Sequence, residues 1–261
     1  MPKYRQHYSK HYLLDLTLSQ APTRWHTTNM PPTPFEPVYA GFPSEKLTIG
    51  TGAAIFHLAS DRVVLCYHTR GKYYFLPKGR KNTNEDVCRA AEREGFEESG
   101  YRNRLLPLPF KHRQTEPVDF ATEPLWTEFL PLTSTAQYLL FWYAAETVPE
   151  DVEKEYTAAQ AQIGQAAGAR AYRPPPAFPA DLTLEQRIGQ DVTWQPVGKQ
   201  VYEPRRHEGT GVDEEELLYD SYLLPVDEAR QKLKGTVMED VVKRAYEAIK
   251  LRKSMEQSKS A

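Results

Sequence analysis

The feature that constrains this chain most is the run from Gly79 to Tyr101, GRKNTNEDVCRAAEREGFEESGY. Laid on an α-helix, its second half puts Glu94, Glu97 and Glu98 at i, i+3 and i+4, on one face. Like charges at those spacings cost a helix roughly 0.2–0.5 kcal/mol per pair. Two readings follow: a solvated acidic face, or oxygen donors gathered for a hard divalent cation such as Mg²⁺. The flanks favour the second. Asn84 is placed to cap the helix, Glu85 and Asp86 put negative charge in its first turn, and Gly100 can end it in a left-handed conformation. Directly in front lies Leu76-Pro77-Lys78-Gly79-Arg80-Lys81, a glycine loop with several cations. Such a loop beside a carboxylate-held metal has the parts to grip a polyphosphate.

The run resembles the box of the Nudix hydrolase family, Gly-x5-Glu-x7-Arg-Glu-(apolar)-x-Glu-Glu-x-Gly-(apolar). Gly79, Glu85, Arg93, Glu94, Glu97, Glu98, Gly100 and Tyr101 all fall in register. One position departs: Gly95 stands where an apolar residue is usual. A mid-helix Gly costs up to about 1 kcal/mol relative to Ala, and here it thins the stripe Val87-Ala91-Gly95. That bears on local stability more than on chemistry, because every charged position is kept.

The resemblance implies an α+β fold, an α/β/α sandwich around a mixed sheet, and a metal-dependent pyrophosphohydrolase. It makes Glu94, Glu97 and Glu98 the catalytic residues and the ligands of Mg²⁺ or Mn²⁺, helped by the backbone carbonyl of Lys78 or Gly79. Glu85 and Arg93 would pair to orient the loop, and Lys78, Arg80 and Lys81 would hold substrate phosphates. Glu94 or Glu97 would double as general base; in some family members the base lies outside the box, where Glu214, Glu215 and Glu216 are weaker candidates. The Pro-Lys-Gly loop is similar to that of family members acting on diphosphoinositol polyphosphates and dinucleoside polyphosphates. A similar loop occurs in messenger-RNA decapping members, so capped RNA and nucleotide sugars stay open as substrates. So does a non-catalytic ligand-sensing module, although such modules typically lose box carboxylates.

At 261 residues the chain has room for one large domain or a medium one with extras. The net charge of −2 gives no bulk attraction for polyanions, so an acidic ligand must be held by local patches. That argues against the long basic track an RNA partner would need; a small phosphorylated molecule is the expected partner. Two cysteines, Cys66 and Cys88, cannot build a disulfide framework and suit a reducing compartment. No apolar run approaches membrane-spanning length. The expected address is cytoplasmic or nuclear, with a mitochondrial one left open by a basic start poor in acids up to Asp15.

Residues 1–45, with Pro22, Pro31, Pro32, Pro34, Pro37 and Pro43, read as an extended arm. Strands are expected at Leu47–Phe56, Arg62–His68, Tyr73–Leu76 and Tyr101–Leu108, and a central one at Gln137–Ala145. Lys111 and Arg113 precede that last strand and could reach a substrate phosphate; a solvated basic loop is the equal alternative. His112 between them has no partner at metal-ligand spacing. Residues 147–212 read as an insertion, lid or disordered, with weak helical promise over Asp151–Arg170, a short helix over Asp181–Gln190 and a hairpin from Val192–Trp194 to Lys199–Tyr202. A strand at Leu217–Leu224, a short helix from Pro225 and a last helix capped by Thr236 and Glu239 complete a catalytic domain of 46–252. Residues 253–261 would be a tail.

Overall fold

The computed structural model describes residues 39–260 apart from 117, 168–171, 197, 213 and 215; the side chains of 160–167 and 260 are not described either. Most of the expected N-terminal arm, and Glu215, therefore lie outside the described residues. The architecture is α+β with a mixed sheet, in the order β10-β2-β1-β7-β5. Its centre is β1 (Leu47–His57) and β7 (Ala136–Thr147), paired in parallel from Leu47 with Gln137 to Phe56 with Glu146. β2 (Arg62–His68), β3 (Tyr73–Phe75) and β10 (Tyr219–Pro225) extend one side, all antiparallel. β5 (Asn103–Leu105) and β6 (Trp126–Thr133) pair with different halves of β7 on the other.

Because side chains alternate along a strand, β1 buries both of its faces. Ala53 and Ile55 pack with Ala91 of α1 (Val87–Ser99), while Ala54 and Phe56 pack with Val241, Val242, Ala245 and Ile249 of α5 (Val237–Ser260). That gives the expected three layers. α5 runs on to Ser260, so the residues read as a tail continue the helix. Its Glu239 amide donates to Thr236 Oγ1, but the Glu239 carboxylate returns to the Gly235 amide, so the expected reciprocal box is only half made.

Two strands escaped the sequence. β6 carries Pro131 and follows a Pro-broken stretch, yet it is an edge strand, where a missing N–H costs little. β4 (Lys78–Arg80) lies inside the expected loop and pairs antiparallel with β1, Gly50 opposite Arg80 and Gly52 opposite Lys78. It fits because β1 is bare there. A Cβ at Gly50 would overlap the Tyr138 hydroxyl, and one at Gly52 would meet the Trp142 ring, Lys78 Cβ and the Pro77 carbonyl. Conversely, only Asn103–Leu105 of the expected Tyr101–Leu108 strand is regular.

Between 147 and 212 the described residues form α2 (Glu150–Ala167), α3 (Leu184–Gln190) and the hairpin β8 (Val192–Gln195) with β9 (Gly198–Val201). Thr183 and Gln186 make a full capping box for α3. Behind it lies a buried ion network. Arg187 approaches Glu146 and Asp191 at 2.9 Å each, Arg104 reaches Glu146 at 2.7 Å, and His57 stands 3.4 Å from Asp191. The Arg187 pairings are close in distance but not aligned as hydrogen bonds; charge neutralisation is what holds α3 against the ends of β1, β5 and β7.

Candidate active site

The box helix starts two residues later than the sequence suggested. Asp86 is the cap, its carboxylate accepting from the Cys88 and Arg89 amides, whereas Asn84 sits in the turn before with φ 63°. Glu85 therefore lies ahead of the helix and no acidic residue occupies its first turn. What Glu85 does instead is hold Arg93: Nε donates to Oε1 and Nη2 to Oε2, both at 2.8 Å, a forked pair. The same guanidinium reaches Glu94 Oε1 at 2.8 Å, Glu97 Oε2 at 2.7 Å and the Arg80 carbonyl at 3.0 Å. Gly100 ends the helix at φ 75°.

β4 and the acidic face of α1 are stitched together directly. The Lys78 amide donates to Glu98 Oε2 at 2.7 Å. Gly79 lies against the Glu94 carboxylate so closely that any Cβ there would overlap it. Lys78 and Lys81 are half-buried and Arg80 is exposed beside this contact. Lys111 and Arg113 are different: both are exposed in the loop before β6, and among the described residues no hydrogen bond or ion pair ties them to the carboxylates.

The carboxylates resist ionisation. Burial pushes Glu94 up to about 7, against the Arg93 charge, with Glu97 and Glu216 adding to the rise. Burial pushes Glu98 up to about 8, opposed by Lys78, with Glu94 and Glu216 again adding. Glu97 is raised too, by burial first. Glu216, at the start of the turn before β10, is thus a further carboxylate whose charge reaches the three box glutamates. Sequence reasoning ranked it with its neighbours Glu214 and Glu215 and had no signal to separate them. Its position comes from tertiary structure: His207 and Thr210, a few residues before it, are tied to the C-terminal end of α1. His207 N donates to the Gly100 carbonyl and Thr210 Oγ1 to the Glu97 carbonyl, both at 2.8 Å, before the Val212 amide meets Glu216 Oε2.

As the side chains stand, no three His, Cys, Asp or Glu residues among those described converge closely enough to hold an ion. The expected cluster of Glu94, Glu97 and Glu98 around one cation is thus not preformed. Arg93 draws the first two, and the Lys78 amide draws the third. The donor chemistry nonetheless fits a hard divalent ion. All donors are carboxylate oxygens, one guanidinium is shared among Glu85, Glu94 and Glu97, and Lys78 opposes the rise at Glu98.

The departure at Gly95 also has a reason. A Cβ there would run into the Asn103 side chain. Asn103 is fully buried, and its Nδ2 donates to the Glu92 carbonyl at 3.0 Å and the Tyr101 carbonyl at 3.2 Å. Instead of thinning the packing, Gly95 admits a polar tie between α1 and β5.

Fold and site together define a three-layer α+β protein in which a basic edge strand lies on an acidic helix. No protein-family model matches the chain, and no curated protein matches it. Among solved structures, it is similar to a NUDIX hydrolase from Nitrosomonas europaea at 14% identity, covering 77% of this chain and 89% of that one, with a TM-score of 0.38. A NUDIX-family hydrolase from Clostridium perfringens shares 15% identity over 78% of this chain and 97% of that one, with a TM-score of 0.35. A UDP-X diphosphatase shares 17% identity over 42% of this chain and 44% of that one, with a TM-score of 0.28.

Proposed function

We propose that this chain is a metal-dependent hydrolase that cleaves a phosphoanhydride bond in a small, densely phosphorylated molecule, a diphosphoinositol polyphosphate or a diadenosine polyphosphate. The observation that carries the reading is the docking of β4 on α1. Lys78, Gly79 and Arg80 lie against Glu98, Glu94 and Arg93, so phosphate-binding cations and metal-binding carboxylates share one seam.

In this reading Glu94, Glu97 and Glu98, with the Gly79 carbonyl, hold Mg²⁺ or Mn²⁺. When bound, the cation neutralises phosphate oxygens and lowers the pKa of the attacking water. Lys78, Arg80 and Lys81 take the remaining phosphate charge. Arg93 and Glu85 keep β4 seated on the helix. Glu94 or Glu97 takes the water's proton, and Glu216, whose charge adds to the rise at all three box glutamates, is the candidate outside the box. The carboxylates' resistance to ionisation suits groups that become fully charged only against a cation.

The test is purified protein with Mg²⁺ and a panel of diphosphoinositol polyphosphates, diadenosine polyphosphates, capped RNA and nucleotide sugars. Phosphate-product release from one class, lost in Glu97→Gln, is the expected result. Turnover of none by folded protein would overturn the reading in favour of a ligand sensor.

A further inference from the structure

β6 breaks its own pattern. Its inward positions are Trp126, Glu128, Leu130 and Leu132, and the three apolar ones pack against the main core. A carboxylate in such a row loses hydration, which costs stability unless something compensates. Burial accordingly raises the Glu128 pKa, and Lys78 opposes the rise. The compensation within the fold is partial. Trp142 Nε1 donates to Glu128 Oε1 at 2.8 Å, and among the described residues no hydrogen bond reaches Oε2.

The position of this carboxylate is specific. Glu128 stands opposite Leu140 on β7, which stands opposite Gly50 on β1, which stands opposite Arg80 on β4. Two residues along each strand, the next row on the same face reads Trp126, Trp142, Gly52 and Lys78. With no side chain at Gly50 or Gly52, the Tyr138 hydroxyl and the Trp142 ring lean across β1 towards the basic strand. The basic strand at the end of both rows is tied to Glu98 through the Lys78 amide and lies against Glu94 at Gly79, so this face adjoins the carboxylates. A molecule whose phosphates lie along Lys78 and Arg80 has this face for the rest of its structure. There it would meet the half-buried Glu128, an acceptor anchored through Oε1 by the buried Trp142.

Resting on the hydrolase reading above, we propose that Glu128 is a specificity-determining residue: its Oε2 accepts an N–H or O–H donor from the organic part of the substrate. That selects a nucleoside polyphosphate over an inositol polyphosphate. Adenosine carries an amino group and ribose hydroxyls that can donate. A fully phosphorylated inositol ring has replaced those hydroxyls with anions that a carboxylate repels. Trp142 acts through Glu128 as a positioning residue, fixing which oxygen is left for the ligand.

The experiment uses the full chain with Mg²⁺ and compares wild type, Glu128→Gln and Glu128→Leu. Glutamine preserves shape and can keep its carbonyl on Trp142, but it turns an amide donor towards the ligand. It covers the case in which leucine disturbs folding, with thermal melts as the check. Calorimetric titration with adenosine 5′-monophosphate should show affinity falling about tenfold to a hundredfold in either variant, the range for a hydrogen bond to a charged acceptor. The ratio of kcat/KM for diadenosine tetraphosphate to that for 5-diphosphoinositol pentakisphosphate should fall at least tenfold, with KM carrying the change. Equal losses on both substrates, equal monophosphate affinity, or a wild type that turns over only the inositol compound would each overturn the assignment while leaving the hydrolase intact. Should the wild type turn over neither, the hydrolase reading falls, and the monophosphate titration alone decides the role of Glu128.

Discussion

Replacing Gly95 by alanine sets local propensity against tertiary packing with opposite signs. Gly95 lies in the middle of α1, where alanine should stabilise by about 1 kcal/mol on propensity alone. The added methyl, however, takes the space of Asn103 Nδ2. Asn103 is fully buried, and moving it breaks its bonds to the Glu92 and Tyr101 carbonyls. Two such bonds are worth about 0.5–1.5 kcal/mol each, and a stranded buried amide costs about 1–3 kcal/mol more. The net expectation is destabilisation by about 1–5 kcal/mol, or a fall in Tm of about 2–4 °C per kcal/mol for a chain of this size. Urea denaturation followed by far-ultraviolet circular dichroism measures it. Made in an Asn103→Ala background, the same substitution should stabilise by the propensity difference, because nothing is displaced. A stabilised Gly95→Ala single variant, or the same effect in both backgrounds, would refute the argument.

Arg93→Met should destabilise by about 3–5 kcal/mol in chemical denaturation, since it strands Glu85, Glu94 and Glu97 together, and Mg²⁺ should restore part of the loss. Metal-free protein should lose stability as pH rises from about 4.5 to about 8. Glu94 and Glu98 have folded pKa values near 7 and 8, above the ordinary carboxylate value, so the folded state holds more protons across that window, and their contribution is complete only below it. Thermal melts in chelator should show the decline, and melts in Mg²⁺ should flatten it. Arg187→Met should cost about 3–5 kcal/mol by leaving Glu146 and Asp191 buried without their shared cation, and hydrogen exchange should rise first in α3.

The strands with strong apolar runs, β1, β2 and β7, were legible, as was α1, because period and punctuation agree there. β6 was not, since Pro131 argues against a strand unless the strand is known to be an edge. β4 was not, since Lys-Gly-Arg has no strand character of its own and pairs only because Gly50 and Gly52 leave room. The Glu85–Arg93 pair was legible from the box; the helix cap was misplaced by two residues because Asn84 and Asp86 are equally good caps in isolation. Glu216 and Asn103 owe their places to partners more than a hundred residues and about ten residues away respectively, and no local pattern encodes such a meeting. Lys111 and Arg113 lie in an exposed loop, and charge alone does not fix where a loop goes.

The ties from His207 and Thr210 to the end of α1 bear on the order of assembly. The helix can form early from local instructions, but Thr210 and Glu216 are synthesised only after α2, α3 and the small hairpin. A nascent chain would carry its acidic helix with one flank open, and the last carboxylate would arrive as the sheet closes. Pulse-labelling of ribosome-bound chains should therefore find α1 protected well before Thr210 is.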